Sequence, residues 1–362
     1  MKLENYLLEE SIGKGAFGEV YLTSLKDDPK KYATKKILRE EVEQSEAMKY
    51  LRNEIAILQY LNHPNIVKFQ EVKKTKKNFY IIMEYCNGGE LSQALKKYIE
   101  KYGKPFDEKI IQHFMKQIID AFKYIHEKKI IHRSIKLDNI LLNYENEEDK
   151  NNFNLMKADI KIIDFGFALK VSKEYIKEIL EESPITIESL LIKEFKEISS
   201  NKKIKNYDFN DMTDIFSIGT ICYEMLIGKT VFDSENMDEL IKKIEEGIYT
   251  IPTNLSYEAI SFLNGMLQYD SKKRLTAEQL SKHDFLNKDI KDFHNIDLEK
   301  VSKIIDKNEL KINLKNNEFI WSIFNADSEK LLNSIEGKQL VNPIEEKDEK
   351  ECENLKKEEP KK

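Results

Sequence analysis

The fold is decided by GKGAFGEV at positions 13–20, a G-x-G-x-x-G-x-V pattern that leads directly into the strand-like segment Val20-Tyr21-Leu22-Thr23. A dinucleotide-binding fold would need a helix straight after the third glycine, because the N-terminus of that helix holds the phosphates. The strand therefore favours a glycine-rich hairpin between two strands. Such hairpins also occur without a ligand, so the pattern alone does not establish binding.

The segments around this hairpin predict a body built mostly of strands. Residues 5–37 read as three strands, and two more are predicted at 66–72 and 79–84. Between them, residues 42–61 have the spacing of an amphipathic helix. Its apolar face is formed by Met48, Leu51, Ile55 and Leu58.

After Gly89 the pattern becomes helical. One predicted helix carries a long apolar face, whose members are Ile111, Phe114, Met115, Ile118, Phe122 and Ile125. Residues 214–226 are apolar nearly all round, as in a helix buried inside a domain. The sequence thus predicts an α+β protein with a strand-rich body at 5–84 and a mainly helical body at 85–287.

Beyond residue 287 the chain becomes strongly charged. Leu298, Val301 and Ile305 recur at helical spacing, which predicts a short amphipathic helix within a tail at 288–340. Trp321 lies in the same tail, and the element around it either packs back on the helical body or docks a partner. Residues 341–362 have the charged composition of a disordered segment.

Composition excludes several classes of protein. The 362 residues include 59 Lys and Arg and 65 Asp and Glu, and 40% are hydrophobic, which excludes a wholly disordered or collagen-like chain. The net charge of −6 argues against a dedicated nucleic-acid binder. The three cysteines fit neither a zinc site nor a disulfide framework, and no apolar run could span a bilayer. With its acidic N-terminus, the chain is expected to be a cytoplasmic protein with no transmembrane segment.

Two charged residues are candidates for chemistry near the glycine-rich hairpin. Lys35 lies on the third predicted strand and could meet the α- and β-phosphates of a nucleotide. Such a lysine needs a nearby anion to hold it in position. Glu54 lies on the same face of the predicted helix as Leu51 and Leu58. The alternative is a surface lysine and a solvated glutamate, the usual fate of both residue types.

Further motifs follow in order along the chain. They are His63-Pro64-Asn65, the strand 79–83 leading into Gly88-Gly89, IHRSIKLDNILL at 131–142 and IIDFGFA at 162–168. In this set and order the sequence resembles the eukaryotic protein kinase family over residues 5–287. Lys136, two residues after Ser134, resembles the serine/threonine subclass. Phe167-Ala168 and residues 217–220 resemble the autophagy-initiating kinase branch.

The resemblance implies a two-lobed fold that binds ATP and Mg²⁺. Lys35 and Glu54 would form the ion pair that orders the phosphates, and Lys136 would face the γ-phosphate. Asn139 and Asp164 would hold the metal ions. The glycine-rich loop over the phosphates would be formed by Gly13, Gly15 and Gly18.

The same resemblance assigns the nucleotide pocket. Met83 would be the gatekeeper, and Glu84 and Cys86 would offer backbone groups to adenine. The residues that contact the ring faces and the ribose would be Val20, Ala33, Leu141 and Glu90. A buried regulatory spine, anchored on Asp214, would be formed by Leu58, Phe69, His132 and Phe165. We expect only structural or surface roles for His113, His126, His283 and His294, which lack metal-like spacing.

Position 134 departs from the family, which has aspartate where this chain has Ser134. That carboxylate accepts the hydrogen bond of the substrate hydroxyl and orients it towards the γ-phosphate. A serine hydroxyl is neutral, shorter and a very poor base, and such groups contribute about 10²–10⁴-fold to rate. Asp138, four residues further on, does not plainly replace it.

The segment after Phe167 departs as well. Ser183-Pro184 resembles the residues just before the family's A-P-E motif, yet Glu188-Ser189-Leu190 stands in place of that motif. The glutamate that the family pairs with an arginine, matched here by Arg274, therefore has no counterpart. Ile179 occupies the usual activation phosphosite and offers no hydroxyl.

Three hypotheses follow for the function. The first is a pseudokinase, an ATP-binding regulatory or scaffolding module with weak or no phosphoryl transfer. The second is an active serine/threonine protein kinase that tolerates Ser134, since positioning and electrostatics supply most of this catalysis. The third is an interaction domain that does not need nucleotide. The implied partners are ATP and a protein substrate or regulated protein.

Overall fold

The computed structural model describes most of the region that carries these motifs. The described residues are 2–3, 5–15, 18–26, 28–42, 47–170, 211–232, 239, 243, 248–252, 254–292 and 309–313. The chain divides into two units, residues 1–315 and 316–362, and all described residues belong to the first. Both predicted lobes therefore lie in one unit.

The small lobe is a six-stranded antiparallel sheet with strand order β1-β2-β3-β4-β6-β5. The strands are β1 (Lys2–Leu3), β2 (Tyr6–Gly15), β3 (Gly18–Leu25), β4 (Asp28–Leu38), β5 (Phe69–Lys74) and β6 (Asn78–Glu84). Alternate residues of β6 serve opposite faces, as expected for a strand. Tyr80 and Ile82 pack in one apolar cluster, and Ile81 packs in another with Leu51.

Two helices accompany this sheet, α1 (Arg39–Val42) and α2 (Ala47–Tyr60). Leu51 and Leu58 are buried, and Met48 and Ile55 pack against the Leu51 cluster, as the helical spacing predicts. The predicted helix 42–61 corresponds to α2 over Ala47–Tyr60, Val42 belongs to α1, and residues 43–46 lie outside the described residues. The predicted strand 66–72 is displaced to Phe69–Lys74, since residues 63–67 form a turn that bonds to the other lobe.

The large lobe is mainly helical. Its helices are α3 (Leu91–Tyr102), α4 (Glu108–Glu127), α5 (Glu147–Asn151), α6 (Met212–Ile227), α7 (Tyr257–Met266), α8 (Ala277–Ser281) and α9 (Asp284–Asn287). The predicted apolar face of α4 is buried along its whole length, and α6 is buried nearly all round. None of the described helices is both long and apolar enough to cross a membrane.

Short antiparallel strand pairs complete this lobe. They are β7 (Ile130–Ile131) with β10 (Leu169–Lys170), β8 (Ile140–Tyr144) with β9 (Ala158–Ile162), and β11 (Ile248–Pro252) with β12 (Glu309–Asn313). The predictions did not include β12, which brings residues of the tail onto the large lobe. The predicted tail helix, Trp321 and residues 341–362 lie outside the described residues.

Backbone hydrogen bonds join the two lobes beside the hairpin β8–β9. Val67 donates to the carbonyl of Ile162, whose own N–H donates to the carbonyl of Asn65. Gly88 N–H donates to the carbonyl of Leu142, and Leu142 N–H donates to the carbonyl of Gly89. These bonds place the end of β6 and the strands that carry the 131–142 and 162–168 motifs along one cleft.

Candidate functional site

The glycine-rich stretch forms the predicted hairpin between β2 and β3. Lys14 pairs with Glu19 and Gly15 with Gly18, which closes the turn, while Ala16 and Phe17 lie outside the described residues. Gly18 has a φ of 156°, and a Cβ there would lie 2.1 Å from the carbonyl oxygen of Lys36. Only glycine fits this position, because the neighbouring strand passes directly over it.

Residues predicted to surround a nucleotide share one face of the sheet. Val20 pairs with Lys35 across β3 and β4, and Ala33 pairs with Met83 across β4 and β6. Directly opposed residues in antiparallel strands point to the same face, as do residues two apart in one strand. Val20, Ala33, Lys35 and Met83 therefore lie on one face, as the pocket requires.

Lys35 and Glu54 form the predicted ion pair. Lys35 Nζ lies 3.0 Å from both carboxylate oxygens of Glu54, which ties strand β4 to helix α2. The Glu54 side chain is only 5% exposed, so its charge is compensated inside the protein. Burial raises the pKa of Glu54, the cation of Lys35 opposes that rise, and the carboxylate of Asp164 adds to it.

Backbone and side chains around residues 84–90 are compatible with the predicted adenine and ribose contacts. The Glu84 N–H already donates to the carbonyl of Lys68, so its carbonyl is the group that could serve a base. The Glu84 carboxylate is 2.8 Å from Lys161. Burial raises the pKa of the Cys86 thiol to about 12, which leaves a neutral thiol and backbone groups at that position. The backbone of Glu90 forms an isolated antiparallel β-bridge with Leu141. The Glu90 carboxylate accepts hydrogen bonds from the side chains of Ser92 and Gln93.

The loop 132–139, here called the HRS loop, brings its polar residues together with Asp164. The side-chain amide of Asn139 donates to the Ser134 carbonyl at 2.7 Å and to the Ser134 hydroxyl at 3.0 Å. The same nitrogen lies 3.3 Å from Asp164 Oδ2. Ser134 and Asn139 are buried, whereas Lys136 is exposed. Asp138 accepts a hydrogen bond from the Ser92 hydroxyl at 3.0 Å.

Asp214 of α6 anchors the HRS loop through hydrogen bonds to its backbone. Its carboxylate accepts the N–H groups of His132 at 2.8 Å and Arg133 at 2.9 Å, and it lies 3.0 Å from His126 Nε2. Arg133 has a φ of 65°, in the left-handed region, so the carboxylate stabilises a strained turn. Burial alone would raise the pKa of Asp214, yet the bonds from His126 and the backbone hold that pKa below its ordinary value. His126 thus has a structural role at this site.

His132 and Phe165 form the core of the predicted spine. Their ring centroids are 4.6 Å apart, and both side chains are fully buried. His132 Nδ1 accepts from Ser134 N–H, while Nε2 lies 3.2 Å from the carbonyl of Ile163. Burial lowers the pKa of His132, which agrees with a neutral ring that donates through Nε2. Asp164, next to Phe165, has a φ of 64°, so left-handed backbone lies beside both rings, at Arg133 and at Asp164.

Arg274 is held by groups that the sequence analysis did not predict. The guanidinium is buried and donates to the carbonyl oxygens of Met212 at 2.7 Å and Gln268 at 2.8 Å. It also lies 4.8 Å from the centroid of Phe216. These carbonyls and the Phe216 ring contribute to stabilising this charge. Ile179, Ser183-Pro184 and Glu188-Ser189-Leu190 lie outside the described residues, so the predictions made for them remain predictions.

Comparisons with known proteins agree with this geometry. The family model of the protein kinase domain matches residues 6–286. A probable serine/threonine-protein kinase of Dictyostelium discoideum, MARK-A, is 31% identical over 284 residues, which cover 78% of this chain and 24% of MARK-A. Aurora kinase C of Mus musculus is 28% identical over 281 residues, which cover 78% of this chain and 91% of that protein. This chain thus spans about a quarter of the length of MARK-A.

Proposed function

Because the chain belongs to the protein kinase family, we propose that it binds Mg·ATP and acts as a regulatory or scaffolding module with little or no phosphoryl transfer. One observation carries this proposal. The groups that would hold nucleotide and metal are in contact with one another, while position 134 offers only a hydroxyl that accepts from Asn139.

The nucleotide half of the proposal rests on Lys35, Glu54 and the glycine-rich hairpin. In this family the lysine pairs with the α- and β-phosphates and the helix glutamate keeps it in place. The bidentate contact between Lys35 and Glu54 supports that role. Gly18, where a side chain would clash with the Lys36 carbonyl, keeps the glycine-rich hairpin packed on the strand that carries Lys35.

The donor set also fits Mg²⁺, which prefers carboxylate and carbonyl oxygens. Because the Asn139 amide nitrogen donates to Ser134, the oxygen of that amide is the atom that would coordinate a metal ion. The Asp164 carboxylate lies 3.3 Å from the nitrogen of the same amide. When bound, the metal would neutralise charge on the phosphate oxygens. Residues 139 and 164 would hold it, and Lys136 would face the γ-phosphate.

The proposed loss of transfer rests on Ser134. A hydroxyl does not remove a proton at neutral pH, and it cannot orient a substrate hydroxyl by accepting a charge-assisted bond. The nearest acid in sequence, Asp138, accepts from Ser92. A protein substrate hydroxyl would therefore meet the γ-phosphate without the group that positions it.

An active serine/threonine kinase is the second candidate, and one feature favours it. The Lys35–Glu54 pair, the Asn139–Asp164 contact and the buried His132–Phe165 stack are all formed together. Phosphoryl transfer depends mostly on positioning and electrostatics, so such an arrangement could support slow turnover. If the chain is an active kinase, its protein partner is a substrate. If it is a regulatory or scaffolding module, its partner is a protein that it regulates.

The finer assignments belong to the proposal too. Membership of the autophagy-initiating branch rests on Phe167-Ala168 and residues 217–220. A cytoplasmic location rests on composition, and both remain predictions.

Titration calorimetry with Mg·ATP tests the central proposal, with Lys35→Ala as the control for site-specific binding. Saturable binding by the wild type that the variant loses supports it. Absent binding in both favours an interaction domain that does not need nucleotide, and equal binding in both contradicts the role proposed for Lys35.

A further inference from the structure

Residues 164–170 are held by groups from both lobes. On the large-lobe side, Arg133 Nε donates to the carbonyl of Phe167 at 2.6 Å, and β10 pairs with β7. On the small-lobe side, the side-chain amide of Asn53 donates to the carbonyl of Ala168 at 2.5 Å. Ala168 is fully buried, so its carbonyl has lost most contact with water.

Asn53 immediately precedes Glu54 in helix α2. The helix and the segment also approach each other at Gly166, where a Cβ would lie 3.3 Å from Asp164 Oδ1 and 3.9 Å from Glu54 Oε2. An outward shift of α2 that broke the bond to Ala168 would therefore draw Glu54 away from Lys35. The two neighbouring side chains fix the helix at two points, Glu54 on strand β4 and Asn53 on the segment after Asp164.

We propose that Asn53 is a positioning residue: its bond to the Ala168 carbonyl holds α2 against residues 164–170 and keeps Glu54 on Lys35. The arrangement requires no phosphate, because both partners are groups of the chain itself. A change at Asn53 is thus transmitted to the nucleotide site through Glu54, although Asn53 itself contacts no predicted ligand group. This deepens the function proposed above, and its affinity readout rests on that function.

Hydrogen exchange tests the contact without any nucleotide. Asn53→Asp keeps the shape of the side chain and removes the donor, and Asn53→Ala removes both. The matched control is Gln59→Ala, which deletes an exposed amide on the same helix. Both Asn53 variants should exchange backbone amides of 47–60 and 164–170 about two- to tenfold faster than wild type, the factor expected for one lost hydrogen bond. Gln59→Ala should match wild type.

Mg·ATP affinity then tests whether Asn53 acts through Glu54. Asn53→Asp should weaken binding about two- to tenfold in the wild-type background. In a Glu54→Gln background the same change should have almost no further effect, because the ion pair it supports is already lost. A merely structural contact would instead give equal losses in both backgrounds.

The outcomes separate this proposal from the function it deepens. Exchange in both Asn53 variants equal to that of Gln59→Ala overturns the role of Asn53, whatever the affinities. Additive losses of affinity in the two backgrounds also overturn it. If the wild type binds no Mg·ATP, the proposed function fails, and faster exchange in both Asn53 variants still supports the contact between α2 and residues 164–170.

Discussion

The side-chain amide of Asn139 donates to both oxygens of Ser134, the carbonyl at 2.7 Å and the hydroxyl at 3.0 Å. The hydroxyl thus takes part in ordering the HRS loop, and Asn139 keeps its orientation beside Asp164. Relative to the family, position 134 lacks a carboxylate, while the contact between Asn139 and Asp164, the residues proposed to hold metal, is present. Under the proposed function, nucleotide binding and phosphoryl transfer are therefore separable properties.

Mg·ATP should stabilise the protein against heat. Ligand at about 100 times its dissociation constant adds roughly 2.7 kcal/mol to the free energy of unfolding. Asp164→Ala should remove the part of the thermal shift that depends on Mg²⁺. Asp159→Ala should leave it intact, because Asp159 is an exposed acid on strand β9 of the adjoining hairpin. An equal magnesium-dependent shift in both variants would remove Asp164 from the metal site.

Breaking the Lys35–Glu54 pair should cost more than breaking a surface pair. Lys35→Met leaves a buried carboxylate without its cation, which costs about 3 kcal/mol of unfolding free energy at neutral pH. Lys31→Met breaks the exposed pair with Glu9 and should cost less than about 1 kcal/mol. Adding Glu54→Gln to Lys35→Met should recover much of the loss without restoring Mg·ATP binding. Urea unfolding of the four proteins measures these differences.

The same pair predicts a pH dependence. Burial raises the pKa of Glu54 in the folded protein above its ordinary value, so its protonated form favours folding. That stability is present at low pH and is lost as pH rises through the raised pKa. Without Lys35 to oppose the rise, Lys35→Met should lose stability relative to wild type as pH rises above the ordinary pKa of a glutamate. A difference in unfolding free energy that narrows as pH rises would contradict the assignment.

Asp214→Asn should destabilise the protein by about 3 kcal/mol, because one amide cannot replace a carboxylate that accepts from His132, Arg133 and His126. Asp211→Asn, at a half-exposed acid just before α6, is the matched control and should cost within about 0.5 kcal/mol. The pKa of Asp214 is lowered in the fold. Its contribution is therefore present above the ordinary pKa and is lost as pH falls through the lowered one. The difference from wild type should accordingly shrink below about pH 4.

Removal of strand β12 should destabilise the large lobe. Truncation after residue 292 removes the partner of β11, whose Tyr249 and Ile251 are buried. Truncation after residue 315 keeps the strand and is the control. We expect the shorter protein to unfold at a temperature several degrees lower, since about 1 kcal/mol corresponds to roughly 2–4 °C in a chain of this size class. Equal midpoints for the two truncated proteins would show that the β11–β12 pairing contributes little.

Local patterns predicted the parts of the site that depend on periodicity or on short motifs. The buried face of α4 follows from helical spacing, and the strand after Gly18 excluded a helix-based phosphate site. The Lys35–Glu54 contact was predicted from the resemblance to the kinase family, and the position of Glu54 on the helix face of Leu51 and Leu58 agreed with it. In each case the information lies within one element or in the order of adjacent elements.

Contacts between distant residues were not predictable in this way. Strand β12 is short and polar, and its assignment depends on a partner some sixty residues earlier in the chain. Arg274 was expected to lack the glutamate that the family pairs with it, and its contacts with the backbone carbonyls of Met212 and Gln268 were not predicted, because carbonyls carry no sequence signal. The bond from Asn53 to Ala168 is likewise invisible in sequence, because an asparagine on a helix usually faces solvent.

The most direct test is the initial rate at which the γ-phosphate of ATP is transferred to the protein itself and to a generic protein substrate at saturating Mg·ATP. The rates of wild type and Ser134→Asp are compared with that of Lys35→Met, which serves as the baseline. We predict that the rate of wild type equals this baseline although the protein still binds Mg·ATP. We predict that the rate of Ser134→Asp exceeds the baseline by part of the roughly 10²–10⁴-fold that such a carboxylate contributes, and that adding Ser189→Pro and Leu190→Glu raises the rate further. Wild type well above Lys35→Met and equal to Ser134→Asp would contradict the account and establish an active kinase.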